Sequence, residues 1–496
     1  MRRLGIFLSS IILIAAAQVF AADDVVMRAM KLHEKRHYDE AVSMLRPDNA
    51  SIEQGRKGAA HLALGMIYFK NAVLHRELYQ AAVATSQDYL KKLSGVRGKD
   101  RSRFADLYFG EALIESAKFG AAAICLKRFL ANEGVEPRYR AIAKISLGLI
   151  YYRNDEAARA TELWGEIDVS DPEVRAELAA AYSKAGLVNR GPSVIAEGIL
   201  SEMKRPNKPL SMRMVKNLVA VYARGDGLTE KGLDLLKSSD LKGFSYRETL
   251  GKSKVIHFYD LSLLNDMATL YGQASMAYLE KAAADPKVKD AAEFYLGQAC
   301  ALFGSMERSS KIMDSFITTS QMPQQYKDRI RVWQGANLYL KNRQADAVGV
   351  WDELARRQPE DPDLIAEILF ACSRAKMECP GVLEKAAAMV EAGEGRKFSL
   401  LNIAIGKYHL ARLDYAKAVP YLEAARDKSN KNKIESNDPT MLMSLADVYY
   451  RTKKFSEVLE IYFEMSKQFP EVRQIQEAMQ GIYAMEQKSA GDVKIN

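Results

Sequence analysis

Apolar and small positions recur along the chain in a fixed order. Leu147-Gly148 is followed by Tyr151, Ala157, Ala160, Trp164 and Pro172, and Gln334-Gly335 by Leu338, Ala345, Ala347, Trp351 and Pro359. In both segments the second alanine stands 12 residues beyond the glycine, the tryptophan 16 and the proline 24. Two helices can approach closely only where neither carries a bulky side chain, so this spacing predicts antiparallel helix pairs. Gly148, Gly335 and Gly406 are expected on the first helix of a pair, and Ala160, Ala347 and Ala418 on the second. Trp164, Trp351 and Tyr462 are expected to fill the space between successive pairs, and Pro172, Pro359 and Pro470 to end the second helix. Sheet is not expected, because runs of β-branched and aromatic residues bounded by turn signals are not evident.

A third copy reads Leu445-Ala446, Tyr449, Phe455, Val458, Tyr462 and Pro470, and a fourth Ile405-Gly406, His409, Tyr415, Ala418, Leu422 and Ala425. Weaker copies open at Arg28-Ala29, Leu64-Gly65, Gly110 and Leu296-Gly297. These residues resemble the tetratricopeptide-repeat pattern, in which a unit of ~34 residues folds as two antiparallel helices. The resemblance implies an all-α fold, an alpha-alpha superhelix or solenoid of stacked pairs whose first helices line a concave groove. The pattern fades between Arg190 and Pro286, where Gly191-Pro192, Lys204 to Pro209 and Gly225-Asp226-Gly227 punctuate the helices. The expected organisation is therefore a leader at 1–21, repeats over 22–190, irregular helical repeats over 191–288, further repeats over 289–485 and a disordered tail at 486–496.

Met1-Arg2-Arg3, the apolar run Leu4 to Ala17 and then Val19-Phe20-Ala21 read as a secretory signal peptide cleaved near Ala21. The run is shorter than the ~20 residues of a spanning helix, and Asp23 and Asp24 follow it. The expected location is the periplasm or outside the cell, with membrane contact only through partners. Losing Arg2 and Arg3 lowers the formal net charge of +8 by two. Basic residues alternate with acidic ones throughout, which argues against nucleic acid as a partner. The cluster Lys428 to Lys433 falls in an expected loop. Four cysteines are too few for a disulfide scaffold. Cys125 and Cys300 occupy apolar helical positions and are expected as buried thiols, whereas Cys372 and Cys379 flank a turn that a disulfide could span.

His33-Glu34-Lys35-Arg36-His37 satisfies the H-E-x-x-H zinc-protease signature. The repeat register, however, puts His37 at a turn, which breaks the i,i+4 geometry, and no sheet can precede it. A zinc-dependent hydrolase built on these residues is the weaker alternative. Leu250-Gly251-Lys252-Ser253 ends like a phosphate-binding loop, but Tyr246 stands where the first glycine belongs and no preceding strand is expected. Neither a metal, a cofactor nor a catalytic residue is expected.

The groove is then the candidate site. In the resembled family, partners are held by particular positions of each first helix. Register alone carries these onto Met66, Phe69, Lys70, Tyr152, Arg153, Phe294, Gln298, Arg329, Tyr339, Lys407, Asp447, Tyr450 and Arg451. Aromatics and arginines interleaved with single charges suit a peptide or protein surface. The expected function is a non-catalytic scaffold for other proteins or peptides, in envelope assembly, polysaccharide export or secretion. A glycan-binding module, its tyrosines stacked on sugar rings, is the other alternative.

Overall fold

The computed structural model describes residues 38–45, 57–95, 104–203, 210–225, 227–239, 245–250, 254–259, 261–358, 360–392, 399–426 and 439–467, with single positions 25, 28, 29, 32, 476, 479 and 480. The expected leader, the His33–His37 segment, Lys428 to Lys433 and the tail at 486–496 lie outside these residues. In chain order the helices are α1 (Tyr38–Leu45), α2 (Lys57–Gly95), α3 (Ala105–Glu115), α4 (Phe119–Leu130), α5 (Pro137–Arg153), α6 (Ala157–Gly165), α7 (Pro172–Lys184), α8 (Pro192–Met203), α9 (Met212–Tyr222) and α10 (Thr229–Ser238). Strands β1 (Ser245–Leu250) and β2 (Lys254–Tyr259) come next. Then come α11 (Leu261–Ala283), α12 (Lys289–Phe303), α13 (Met306–Thr319), α14 (Gln324–Leu340), α15 (Gln344–Arg357) and α16 (Pro362–Ala375). The last are α17 (Pro380–Ala392), α18 (Ser399–Ala411), α19 (Tyr415–Arg426), α20 (Pro439–Arg451) and α21 (Phe455–Ser466). The fold is an all-α superhelical repeat carrying one β-hairpin among the described residues.

Packing divides the chain into two compact units. Unit I takes residues up to Leu74 and Tyr271–Lys454, and unit II takes His75–Leu270 and the residues from Phe455 onward. The boundaries fall within α2, within α11 and just before α21.

One contact recurs in pair after pair. A Cβ on Gly110 or Gly148 in unit II, or on Gly335 or Gly406 in unit I, would lie under 3.0 Å from a side chain 16 residues on: Leu126, Trp164, Trp351 and Leu422 respectively. Gly297 stands 3.1 Å from Met313 in the same sense. The expected close approach is present: the side chain nearest the glycine is the large one at the later position, and at Gly110 and Gly406 the carbonyl of the expected alanine, Ala122 or Ala418, lies beside it at 3.5 and 3.4 Å. Each indole is then fixed by its own N–H. Trp164 Nε1 donates to the Ile145 carbonyl at 3.1 Å, and Trp351 Nε1 to the Val332 carbonyl at 3.0 Å. Both rings are buried, and these hydrogen bonds satisfy polar atoms that would otherwise be costly there. Trp164 also meets Tyr182 of the next helix edge-on at 5.4 Å, so it does bridge successive pairs.

The turns within pairs share a geometry as well. Ala117, Asp155, Asn342, Leu413 and Lys453, each seven residues beyond the small residue, adopt left-handed backbone with φ from 55° to 63°. The next N–H donates back across the turn at 2.8–3.0 Å, from Lys118 to Leu113, Glu156 to Tyr151, Arg343 to Leu338, Asp414 to His409 and Lys454 to Tyr449. This is the Schellman closure, which satisfies helix-terminal carbonyls through the backbone itself. Lys376 (φ 52°) and the bond from the Met377 N–H to the Cys372 carbonyl repeat it at the end of α16, where the sequence shows no clear copy of the pattern.

Three expectations fail for physical reasons. Pro172 does not end α6 but opens α7, at the position where a missing N–H costs nothing, and the Asp171 carboxylate caps that end by accepting from the Glu173 and Val174 N–H groups. Residues 57–95 form one 39-residue helix instead of a pair, because no glycine or proline interrupts them between Gly65 and the final Gly95. Gly65 accordingly packs in unit I on Leu279 of α11, and the Ser275 hydroxyl donates to its carbonyl at 2.8 Å. Finally, sheet is present: β1 and β2 pair antiparallel from Ser245↔Tyr259 to Leu250↔Lys254. Val255, Ile256, Phe258 and Tyr259 supply the β-branched and aromatic run that the helical register obscured.

Candidate functional site

Each unit carries a face made of first helices, and the two faces differ. In unit II, α3, α5, α7, α9 and the start of α11 converge on a cavity of about 40 Å³ lined by Glu111, Glu115, Ser146, Glu177, Lys184, Lys216, Asn217 and Ser262, among others. That holds a water or two, not a peptide. Its walls are an ion network. Arg213 is 1% exposed, Lys216 5% and Glu177 8%. Arg213 donates to Glu111 at 2.9 and 3.2 Å and to Glu177 at 2.7 Å, Asn217 Nδ2 donates to the same Glu177 oxygen at 2.9 Å, and Lys216 stands 3.8 Å from the other. Lys184 pairs with Glu115 at 2.9 Å. Burial alone would raise the Glu177 carboxyl, but Lys216 and Arg213, with hydrogen bonds from Arg213 and Asn217, carry it down to about 2. Where a groove was expected, this unit has a polar core.

In unit I the corresponding face is formed by α14, α16, α18 and α20, each first helix packing on the next. Arg374 of α16 lies over the Trp333 ring of α14, 5.2 Å from its centroid. Lys407 of α18 lies 5.8 Å over Phe370 of α16, and its Nζ reaches the Thr440 hydroxyl of α20 at 3.3 Å. Arg451 pairs with Asp447 at 3.3 Å and lies 6.0 Å over Tyr450. Arg374 and Arg451 are exposed, while Trp333, Phe370, Lys407 and Asp447 are half-buried. A cation over an aromatic ring gains from the ring quadrupole while its charged end stays in water. Beneath this row sits Glu367, whose carboxylate is 3.6 Å from the buried Arg329. Burial raises Glu367 to about 7, with Arg329 opposing and Asp363 and Asp361 reinforcing. Burial likewise raises Asp447, against Arg451.

The residues expected to line the groove divide accordingly. Met66, Phe69, Phe294, Gln298, Arg329 and Tyr450 are buried, Lys70, Tyr152, Tyr339, Lys407 and Asp447 half-buried, and Arg153 and Arg451 exposed. Phe294 packs edge-on to Tyr295 and Tyr326, at 5.4 and 5.7 Å, as core. Arg153 donates to the Lys184 carbonyl at 2.6 Å. Within unit I the structure joins Lys407, Asp447, Tyr450 and Arg451 to one another's neighbourhood and adds Trp333, Phe370 and Arg374, which sequence reasoning missed. Arg374 stands two residues before the left-handed Lys376, as Arg153 and Arg451 stand two before Asp155 and Lys453. That register could have found it had α16 been recognised as a first helix.

Cys372 and Cys379 form a disulfide across the turn between α16 and α17, with Cα atoms 6.6 Å apart. Cys125 and Cys300 are buried free thiols whose ionisation burial disfavours. Among the described residues no group of three His, Cys, Asp or Glu side chains is placed to hold a metal ion, and no helix is long and apolar enough to cross a membrane. A strand, β1, does precede Gly251, contrary to expectation. The next element, however, is the antiparallel β2 and not the helix whose N-terminus a phosphate loop requires.

Residues 403–469 match the tetratricopeptide-repeat family. No curated protein matches the sequence. Among solved structures the chain is similar to yeast Tom70, at 12% identity over 94% of this chain and 95% of that one, with a TM-score of 0.33. It is also similar to the pentatricopeptide repeat protein PPR10 from maize, at 16% identity over 98% and 73%, with a TM-score of 0.24.

Proposed function

We propose that this chain of helical repeats, whose residues 403–469 match the tetratricopeptide-repeat family, is a non-catalytic protein-binding scaffold that works outside the cytoplasm, in the periplasm or beyond the cell. The observation that carries this reading is the row on unit I. Four successive first helices between them supply aromatic rings and the cations that lie over those rings, the residue types that dominate binding energy at protein surfaces. No described constellation pairs a nucleophile with a base, and the strongly shifted carboxyls are held by ion pairs or by burial inside the repeat stack. Export is supported by the leader-like N-terminus and by the Cys372–Cys379 bond, since disulfides persist in oxidising compartments. A place in envelope assembly, polysaccharide export or secretion fits an exported repeat scaffold.

Two experiments test the two parts. A photo-crosslinking residue at position 370, activated in intact cells, should give discrete protein adducts that Arg374→Glu abolishes. A folded protein giving none would end the scaffold reading. Alkylation of unreduced, denatured protein taken from cells should leave two of the four thiols blocked; four reactive thiols would place the chain in a reducing compartment and remove the case for export.

A further inference from the structure

We propose that the turn-bearing edge of unit I docks on an anionic phospholipid bilayer, Leu340 and Leu413 entering the headgroup–acyl boundary while neighbouring lysines and arginines meet lipid phosphates. This adds a direct membrane contact to the scaffold reading and does not depend on it. Topology sets the edge. Each second helix of unit I runs back to the side where its pair began, and connections of four residues (320–323, 358–361) and of six (393–398) start the next first helix there. The left-handed turns at Asn342, Lys376 and Leu413 therefore lie together on the opposite side. The Cys379 N–H donates to the Tyr408 hydroxyl at 3.0 Å, and the Glu378 carboxylate acts on Arg412, which ties the second of these turns to the third. Tyr449 of α20 meets Glu423 of α19 as Tyr182 meets Trp164, so Lys453 extends the same edge.

Two features set this edge apart. The first is charge. The four turns, residues 340–343, 374–377, 411–414 and 451–454, hold eight lysines and arginines among sixteen residues and a single acid, Asp414. The three turns of the same kind in unit II, 115–118, 153–156 and 184–187, hold three cations and three acids. The excess does not require any cation to be unpaired. Arg374 and Arg451 can be left out as engaged within the fold, and Asp346 and Glu378 counted beside Asp414; six cations still stand against three carboxylates. The second feature is the pair of leucines. Leu340 is 57% exposed and Leu413 69%, and Leu413 holds a left-handed backbone that a bulky side chain rarely adopts. Closure does not need leucine there, since alanine, aspartate, asparagine and lysine close the same turn. An exposed apolar tip flanked by cations finds both its media at a bilayer surface, hydrocarbon below and phosphate around it. Leu340 and Leu413 stand two repeats apart, about 16–20 Å at the usual spacing of packed helices. A protein partner would need two matching pockets at that distance, whereas a bilayer accepts both leucines without shape complementarity.

The test is flotation of the full mature chain with vesicles of phosphatidylcholine alone, or of equal parts phosphatidylcholine and phosphatidylglycerol. The anionic vesicles should bind at least tenfold more tightly, and added salt should weaken that binding. Lys341→Glu/Lys376→Glu/Lys453→Glu should lower it at least tenfold, and so should Leu340→Ser/Leu413→Ser, which keeps every charge. All five side chains are exposed. If either variant alters the circular dichroism, Lys341→Gln/Lys376→Gln/Lys453→Gln or Leu340→Ala/Leu413→Ala replaces it with the same expectation. Equal binding to both vesicle types overturns the anionic preference, and undiminished binding by the leucine variant overturns insertion; either result ends the proposal. Failure to bind either vesicle ends it as well, and protein adducts from a photo-crosslinker at position 413 would then assign the edge to a protein partner. None of these results touches the adducts expected at position 370, which test the scaffold reading alone.

Discussion

Helices α7 of unit II and α16 of unit I begin alike, with Asp171-Pro172 and Asp361-Pro362 at their caps, and each places a glutamate five residues beyond the proline. Glu177 and Glu367 are therefore the same position of the same repeat, and both are buried. Their neighbours make them opposite in kind. Glu177 faces Arg213, Lys216 and Asn217 from the following first helix and is held ionised, down to about 2. Glu367 faces only Arg329 from the preceding one, with Asp361 and Asp363 nearby, and burial lifts it to about 7. One repeat scaffold thus yields a closed ionic core in one unit and a face of cations laid over aromatic rings in the other. The difference lies in where the next helix puts its cations, not in the repeat itself.

The largest effect that would break this comparison is expected at Glu177. Glu177→Gln leaves Arg213 and Lys216 buried with one carboxylate fewer, and should cost about 3–5 kcal/mol in chemical denaturation. A cost below about 1 kcal/mol would show that the network is not the core of unit II. Next come the glycines that both repeats share. Gly148→Ala and Gly335→Ala each drive a methyl into a hydrogen-bonded indole and should lose about 2–3 kcal/mol apiece, nearly equally. Gly335→Trp, far larger, should unfold the pair outright, as circular dichroism would show. If only one of the two alanine variants is destabilised, the pairs are not equivalent.

The pH dependence separates the carboxyls by sign. Glu177 is depressed in the fold, so its stabilisation is present above the ordinary range near 4.5 and is lost as pH falls towards 2. Glu367 is raised, so its contribution is intact below 4.5 and is lost as pH climbs from there through 7. Glu367→Gln should then leave stability at about pH 5 nearly unchanged and raise it by about 2 kcal/mol at about pH 8. A variant less stable under the alkaline condition would reverse the assignment. The smallest effect belongs to the shared turn: Leu413→Gly relieves a left-handed leucine and should gain about 0.5 kcal/mol, measured as a rise in Tm.

The features legible in the sequence are those the backbone demands locally. Gly148, Gly335 and Gly406 announce their pairs because no side chain fits between the helices there, and Trp164, Trp351 and Leu422, 16 residues on, had to be buried. The first helix α16 is hard to recognise because Leu369 stands where the others carry glycine or alanine, so its Arg374 and Phe370 were missed. The ionic core of unit II is hidden for another reason. Glu111, Glu177, Lys184 and Arg213 lie as much as a hundred residues apart in the chain, and only tertiary closure turns exposed-looking charges into buried partners. The hairpin is masked by its setting, since a six-residue strand is too short to outweigh helical periodicity on either side.

The left-handed turns carry a consequence of their own. Because main-chain groups alone complete them, alanine, aspartate, asparagine, leucine and lysine serve interchangeably at one site. Nature has in effect left a vacant socket at the tip of each of these hairpins of helices, where side-chain identity can drift, or a label be grafted, without the architecture taking notice.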